Sequence, residues 1–147
     1  MSQLHVLFTV GDATYVLPSA DVREMETYSG ATRIPGTAAY VAGLVQIRGR
    51  VIPVIDLRVR FGLPPIERTL DSRVIVVTEG NREIGLLADS AREVVKIEAE
   101  KFGPPPEVVS EQAAGFVNAI AETGKRLVLR LDASRVIGKD TVLETSN

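Results

Sequence analysis

The stretch LVQIRGRVIPVIDLRVRFG, residues 44–62, decides the fold. Apolar residues crowd positions 44–47 and 51–57, and the break between them, Arg48-Gly49-Arg50, is long enough only for a turn. Short runs rich in Val and Ile and bounded by glycine-bearing breaks read as strands, because a helix would space its apolar positions three and four apart. The pair is therefore a β-hairpin, with Gly49 supplying positive φ. Asp56 closes the second run, where a carboxylate suits the cap of a following turn by accepting backbone N–H bonds.

The same pattern recurs outward in both directions. Residues 4–10 and 14–17 flank Gly11-Asp12-Ala13, residues 73–78 and 83–88 flank Glu79-Gly80-Asn81-Arg82, and residues 116–121 and 126–131 flank Glu122-Thr123-Gly124-Lys125. Lone strands are expected over 22–28 and 91–97, where apolar and charged residues mix as on a half-buried sheet face. Helices are confined to single turns at 18–21, 38–41 and 133–137, with Pro18 opening the first and Pro35 preceding the second. Residues 102–112, which include Pro104-Pro105-Pro106, make the longest connection, and the polar tail 139–147 is expected to fray.

A weak internal repeat organises these elements. Arg50, Ile55, Asp56 and Gly62 align with Arg126, Leu131, Asp132 and Gly138 at an offset of 76, while Gly43 aligns with Gly115 at 72 and Gly11 with Gly80 at 69. Each copy runs hairpin, lone strand, Pro-bearing loop, hairpin, Asp, helical turn. The expectation is an all-β fold of two similar five-stranded lobes in one domain, residues 1–138, whose sequence halves are roughly 4–62 and 73–138.

Composition narrows the function. The 147 residues hold no Cys and one His, with 17 Lys+Arg against 19 Asp+Glu. Thiolate nucleophiles, Cys-based metal sites and disulfides are thereby excluded. A net charge of −2 lacks the cationic excess that phosphate neutralisation needs, and no run approaches the roughly 20 apolar residues of a membrane span. The N-terminus shows no basic residue ahead of its first apolar run, so a cytoplasmic location is expected. His5, inside a strand, reads as a strand surface residue and not as a general base. Glu98 and Glu100, interleaved with Lys96 and Lys101, read as a solvated face, and Asp56, Asp89 and Asp132 read as caps, so no cofactor and no metal is expected. What remains is contact. Arg48, Arg50, Arg58 and Arg60 are either solvated turn and edge charges or a cationic feature presented to a partner's carboxylate. The alternative is a small β-barrel binding RNA or single-stranded DNA, against which stands the scatter of its few aromatic residues.

The segment TRIPGTAAYVAGLVQIRGRVIPVIDLRVRFGL, residues 32–63, strongly resembles the CheW family of chemotaxis coupling proteins, with Pro35, Gly43, Arg48, Gly49, Pro53, Asp56 and Leu57 on the family pattern. Agreement extends through Phe8, Gly11, Tyr15, Val22 and Glu24 before it, and Gly85, Asp89, Val94 and Pro105 after it. Gln46 and Ile47 depart from the family's usual Asn and Leu, and Ala88 and Ala91 replace larger aliphatics. The resemblance implies two SH3-like β-barrel lobes, no catalysis, and an adaptor that binds both the regulatory domain of a CheA-type histidine kinase and the cytoplasmic tip of methyl-accepting chemoreceptors. It further implies receptor contact at Val22, Glu24, Gly43 and Arg48 and kinase contact at Gly85 and Val94.

Overall fold

The computed structural model describes residues 2–106, 115–124 and 126–138. Ten strands follow in order: β1 Ser2–Val10, β2 Ala13–Pro18, β3 Val22–Thr27, β4 Val41–Ile47, β5 Arg50–Asp56, β6 Arg73–Glu79, β7 Arg82–Ala88, β8 Ser90–Glu98, β9 Val117–Thr123 and β10 Arg126–Leu131. Helix α1, Leu57–Arg60, follows β5, and α2, Ala133–Ile137, follows β10. The expected hairpins form, and their turn glycines Gly11, Gly49, Gly80 and Gly124 all take positive φ. The turn at 44–57 is tighter than the sequence implied, because Ile47 pairs with Arg50 and leaves only Arg48-Gly49 as the loop. Arg48 therefore adopts φ 52, the single positive φ recorded for a residue other than glycine among the described residues. Both loop residues have the sign that a type I′ turn requires.

Several boundaries shift. β4 begins at Val41 instead of residue 44, since the turn before it ends in the bond from Val41 N–H to Ala38 O, 3.0 Å. β5 stops at Asp56, whose Oδ1 accepts from Arg58 N at 2.9 Å and so turns Leu57 into α1. A 3-10 turn at Ala99–Lys101 went unanticipated. Much of the expected 102–112 connection, and the whole tail 139–147, lie outside the described residues.

The strands form two five-stranded sheets. Sheet 1 has the order β3-β6-β7-β5-β4 and sheet 2 the order β8-β1-β2-β10-β9. Replacing each strand by the one five places later or earlier converts one order into the other, so the repeat is real at the level of topology. The sheets are nonetheless not the sequence halves. Each takes its first hairpin from one copy and its lone strand and second hairpin from the other, joined by the parallel pairings β5 with β7 and β10 with β2. The pairing of Gly43 with Gly115 is corrected: both second hairpins carry a bulge near their outer end, and the ladder positions Gly43↔Val54 and Arg130↔Ala119 make Ala119 the counterpart of Gly43.

Each sheet closes on itself by one further bridge. Thr32, downstream of β3, exchanges backbone bonds with Leu44 at 2.9 and 2.8 Å, and Gly103, downstream of β8, exchanges bonds with Ile120 at 2.9 Å both ways. The lone strand of each sheet thus continues round to meet the opposite edge. Strand alternation splits the apolar residues between three cores. Val54, Val74, Val76 and Leu87 fill the interior of sheet 1, and Leu7, Val16, Ala121 and Val128 fill that of sheet 2. Ile55, Ile75, Val77 and Leu86 face the other way into a core shared with Phe8, Leu17, Leu131 and Val136. Burial on both faces explains why residues 74–77 read Val-Ile-Val-Val without a polar break.

His5 corrects its reading as a strand surface residue. It is fully buried within sheet 2, with Nδ1 3.2 Å from Gln3 O, and its ring centroid lies 5.2 Å from that of Phe102.

Candidate functional site

From the hairpin tip Arg48-Gly49 the Arg48 side chain reaches the glutamates of β3. The Arg48 guanidinium lies 3.4 Å from Glu24 and 3.3 Å from Glu26, yet its side chain stays 71% exposed. Arg50 sits beneath it, paired with Glu24 and with both oxygens of Glu83 at 2.9 and 3.0 Å, while Arg23 meets Glu83 at 2.9 Å. Three arginines and three glutamates from β3, β7 and the β4–β5 hairpin therefore make one network over the seam where the outer strands of sheet 1 approach. Exposed pairs contribute little singly, but a network fixes side-chain direction. Its result is a cation of fixed position on a turn of fixed geometry.

Of the residues assigned to receptor contact, Glu24 and Arg48 touch each other, and Val22 lies next to them in chain, opposite Val77 at the head of β3 and half-buried against the shared core. Gly43 is different in kind. It is buried, with φ 140, and a Cβ there would lie 2.2 Å from Thr32 O, so the glycine permits the bridge that closes sheet 1. Gly85, assigned to kinase contact, is also buried. A Cβ on it would stand 2.6 Å from Val74 Cγ1 and 3.1 Å from Val54 Cγ2. Val94, the other kinase assignment, is 54% exposed on β8, the outer strand of sheet 2. Of the six residues, Arg48 and Val94 are exposed on different sheets, Val22 and Glu24 are partly buried beside Arg48, and Gly43 and Gly85, both in sheet 1, act through backbone approach.

Sequence reasoning missed Arg23, Glu26 and Glu83 as partners. It also missed that Arg126, the counterpart of Arg50, meets Glu93 at 3.4 Å, the counterpart of Glu24. Applying the offsets 76 and 69 together would have paired them. Of the four arginines near the hairpin, Arg48 remains a largely solvated turn charge, while Arg50, Arg58 and Arg60 are partly buried and committed to partners. Arg58 is bidentate on Asp89, with Nε 2.9 Å from Oδ1 and Nη2 2.9 Å from Oδ2, and this pairing raises the Arg58 pKa further above its ordinary value. Asp89 is not a helix cap, since Oδ2 accepts from Gly11 N at 2.7 Å in the β1–β2 turn. Arg60 lies 4.1 Å from the Tyr40 ring and 4.9 Å from the Phe116 ring and donates to Val136 O at 2.8 Å, binding α1 to α2.

No group of three His, Cys, Asp or Glu suited to a metal occurs among the described residues. An open groove of about 580 Å³ borders Tyr28, Arg33, Asp56 and Arg68, but Asp56 is committed to Arg58 N and, at 3.1 Å, to Ile66 N. Burial, with Asp56 nearby, pushes the Tyr28 hydroxyl pKa up. The aromatic residues that a nucleic-acid reading would need on a surface instead form a row of ring contacts from Phe8 through Tyr15 and Phe61 to Phe116, inside the shared core. Among the described residues no helix is long and apolar enough to cross a membrane.

Comparison with known proteins agrees with this geometry. The family model described as CheW-like domain matches residues 4–141. The chain is 31% identical over 136 residues to the chemotaxis protein CheW of Bacillus subtilis, covering 92% of this chain and 87% of that one. It is 32% identical over 133 residues to the chemotaxis protein CheW of Helicobacter pylori, covering 90% and 80%. The crystal structure of scaffolding protein TtCheW from Thermoanaerobacter tengcongensis superposes with a TM-score of 0.86 at 31% identity, over 99% of this chain and 94% of that one. With its two intertwined five-stranded sheets and a family match running almost end to end, the chain belongs to the CheW-like domain family.

Proposed function

We propose that the chain is the cytoplasmic coupling element between a chemoreceptor and a CheA-type histidine kinase, holding each on a different sheet. As a CheW-like protein it is a non-catalytic chemotaxis scaffold. The observation that carries the finer reading is the separation of the two exposed residues among those assigned to partners, Arg48 at the tip of sheet 1 and Val94 on the outer strand of sheet 2. A fixed guanidinium suits a carboxylate on a receptor helix, where a charge-assisted bond is directional. An exposed valine on an outer strand suits an apolar contact with another β-barrel, the form of the kinase's regulatory domain. With the two residues on different sheets, this reading has both partners held together.

The test is calorimetry against the kinase regulatory domain and against a receptor tip fragment, with Arg48→Ala and Val94→Asp. Arg48→Ala should weaken the receptor fragment about tenfold or more and leave the kinase domain unchanged, and Val94→Asp should do the reverse. Loss of both partners by either variant, or of neither by both, would refute the division of surfaces. No heat with either partner for the unaltered protein would refute the coupling role.

A further inference from the structure

The repeat places His5 opposite a revealing counterpart. His5 pairs with Pro18 and Val95, and Val74, 69 residues later, pairs with Leu87 and Glu26, each 69 residues from the corresponding partner. Sheet 1 fills this interior position with a valine, whereas sheet 2 fills it with a fully buried imidazole. Nδ1 faces Gln3 O, which fixes the proton on that nitrogen, and Nε2 is buried with no hydrogen-bond partner. An unpaired buried nitrogen is tolerable as the acceptor of a neutral ring and far less tolerable as an N–H of a cation.

The ring lies directly under the closure of its sheet. Phe102 packs on His5, the Arg130 guanidinium lies 4.4 Å from the Phe102 ring, and the next residue, Gly103, makes the bridge to Ile120. The corresponding positions in sheet 1 are Ala31 beside Thr32, and Val54. The seam of sheet 1 is further held by the arginine and glutamate network. That of sheet 2 has, at the counterpart of Arg50 and Glu24, the pair Arg126 and Glu93, whose side chains are each about half exposed.

We propose that His5 is a proton-sensitive latch on sheet 2: neutral, it supports Phe102 and keeps Gly103 paired with Ile120, and protonated, it forces that seam open. Acidification would then loosen the sheet that carries Val94 and spare the one that carries Arg48. The charged groups acting on the ring are Arg130 from β10, which opposes protonation, and Asp21 from the turn after β2, which favours it. Lys96 and Glu98 on β8, with Glu100 and Lys101 on the turn after it, are exposed. Burial is the largest influence and lowers the His5 pKa from its ordinary value. Below about pH 6.5 an opened state therefore takes up a proton that the closed state refuses, and opening becomes more favourable as pH falls.

The two closing bridges provide a comparison within one sample. Amide exchange is measured by NMR at Ile120 N–H, bonded to Gly103 O, and at Leu44 N–H, bonded to Thr32 O. Between pH 7.5 and 5.5 the protection factor of Ile120 should fall relative to that of Leu44, by at most about tenfold. His5→Val, which copies sheet 1, should abolish the relative change, with His5→Leu as the alternative if that variant does not fold. An unchanged ratio in the unaltered protein, or a ratio that still falls in a folded variant, would overturn the latch. Neither outcome depends on whether the kinase or the receptor binds.

Discussion

Arg48 combines two properties that ordinarily conflict, a long exposed side chain and a left-handed backbone. A non-glycine residue at φ 52 costs about 1 kcal/mol relative to glycine. Arg48→Gly should therefore hold or raise the melting temperature, because the ion pairs it removes are solvent-exposed and contribute between about 0 and 1 kcal/mol. Arg48→Ala keeps the strain, loses the pairs and should melt slightly lower. Receptor-stimulated kinase activity should fall in both. If activity tracked melting temperature across the two variants, the side chain would be structural and not a contact. His5 shows the limit of reading single residues from sequence. In a strand buried on both faces, alternation carries no sign of which side is wet, so a lone polar residue cannot be placed without its cross-sheet neighbours.

At the scale of elements, the hairpins were legible because their information is local: a glycine that can take positive φ between two apolar runs. Asp56 and Asp132 were likewise legible as equivalent caps, and both accept from the helical turn that follows, Asp56 from Arg58 N at 2.9 Å and Asp132 from Arg135 N at 3.3 Å. They are not equivalent in strength. Asp56 is buried and also accepts from Ile66 N, so Asp56→Ala should cost about 2 kcal/mol in urea unfolding against about 1 kcal/mol for Asp132→Ala. Equal midpoints would show that the second bond contributes nothing. The two glycines assigned to partner contact make a related prediction. Gly85→Ala forces a methyl against Val74 and Val54 and should destabilise by about 1 to 3 kcal/mol. Its kinase affinity, measured well below the new melting temperature, should be close to that of the unaltered protein, since no Gly85 side chain exists to be lost. A large affinity loss in a folded Gly85→Ala protein would mean that the backbone there shapes the kinase surface.

For the molecule as a whole, the repeat could be read from glycine and aspartate spacing, but the exchange of hairpins between the sheets could not. It depends on the parallel pairings β5 with β7 and β10 with β2, which have no turn and hence no local signature. The exchange makes a contiguous stretch, residues 22–88, the carrier of every strand of sheet 1, while residues 1–63 hold parts of both sheets and the whole of neither. Expressed alone, residues 22–88 should retain the circular dichroism of a β-sheet and self-associate through the uncovered face of Ile55, Ile75, Val77 and Leu86. Residues 1–63 should show no cooperative melt, and a sharp transition for that fragment would contradict the exchanged topology. The same connectivity dictates a history for each nascent molecule. Sheet 1 can assemble as soon as Ala88 has left the ribosome, but the β1–β2 hairpin, made first, has no partners until β8 and β10 arrive. At about 5 to 20 residues per second the stretch from Ala88 to Leu131 takes about 2 to 9 s, during which a finished barrel carries an unfinished one at its N-terminus. The oldest strands in the molecule are among the last to find their neighbours.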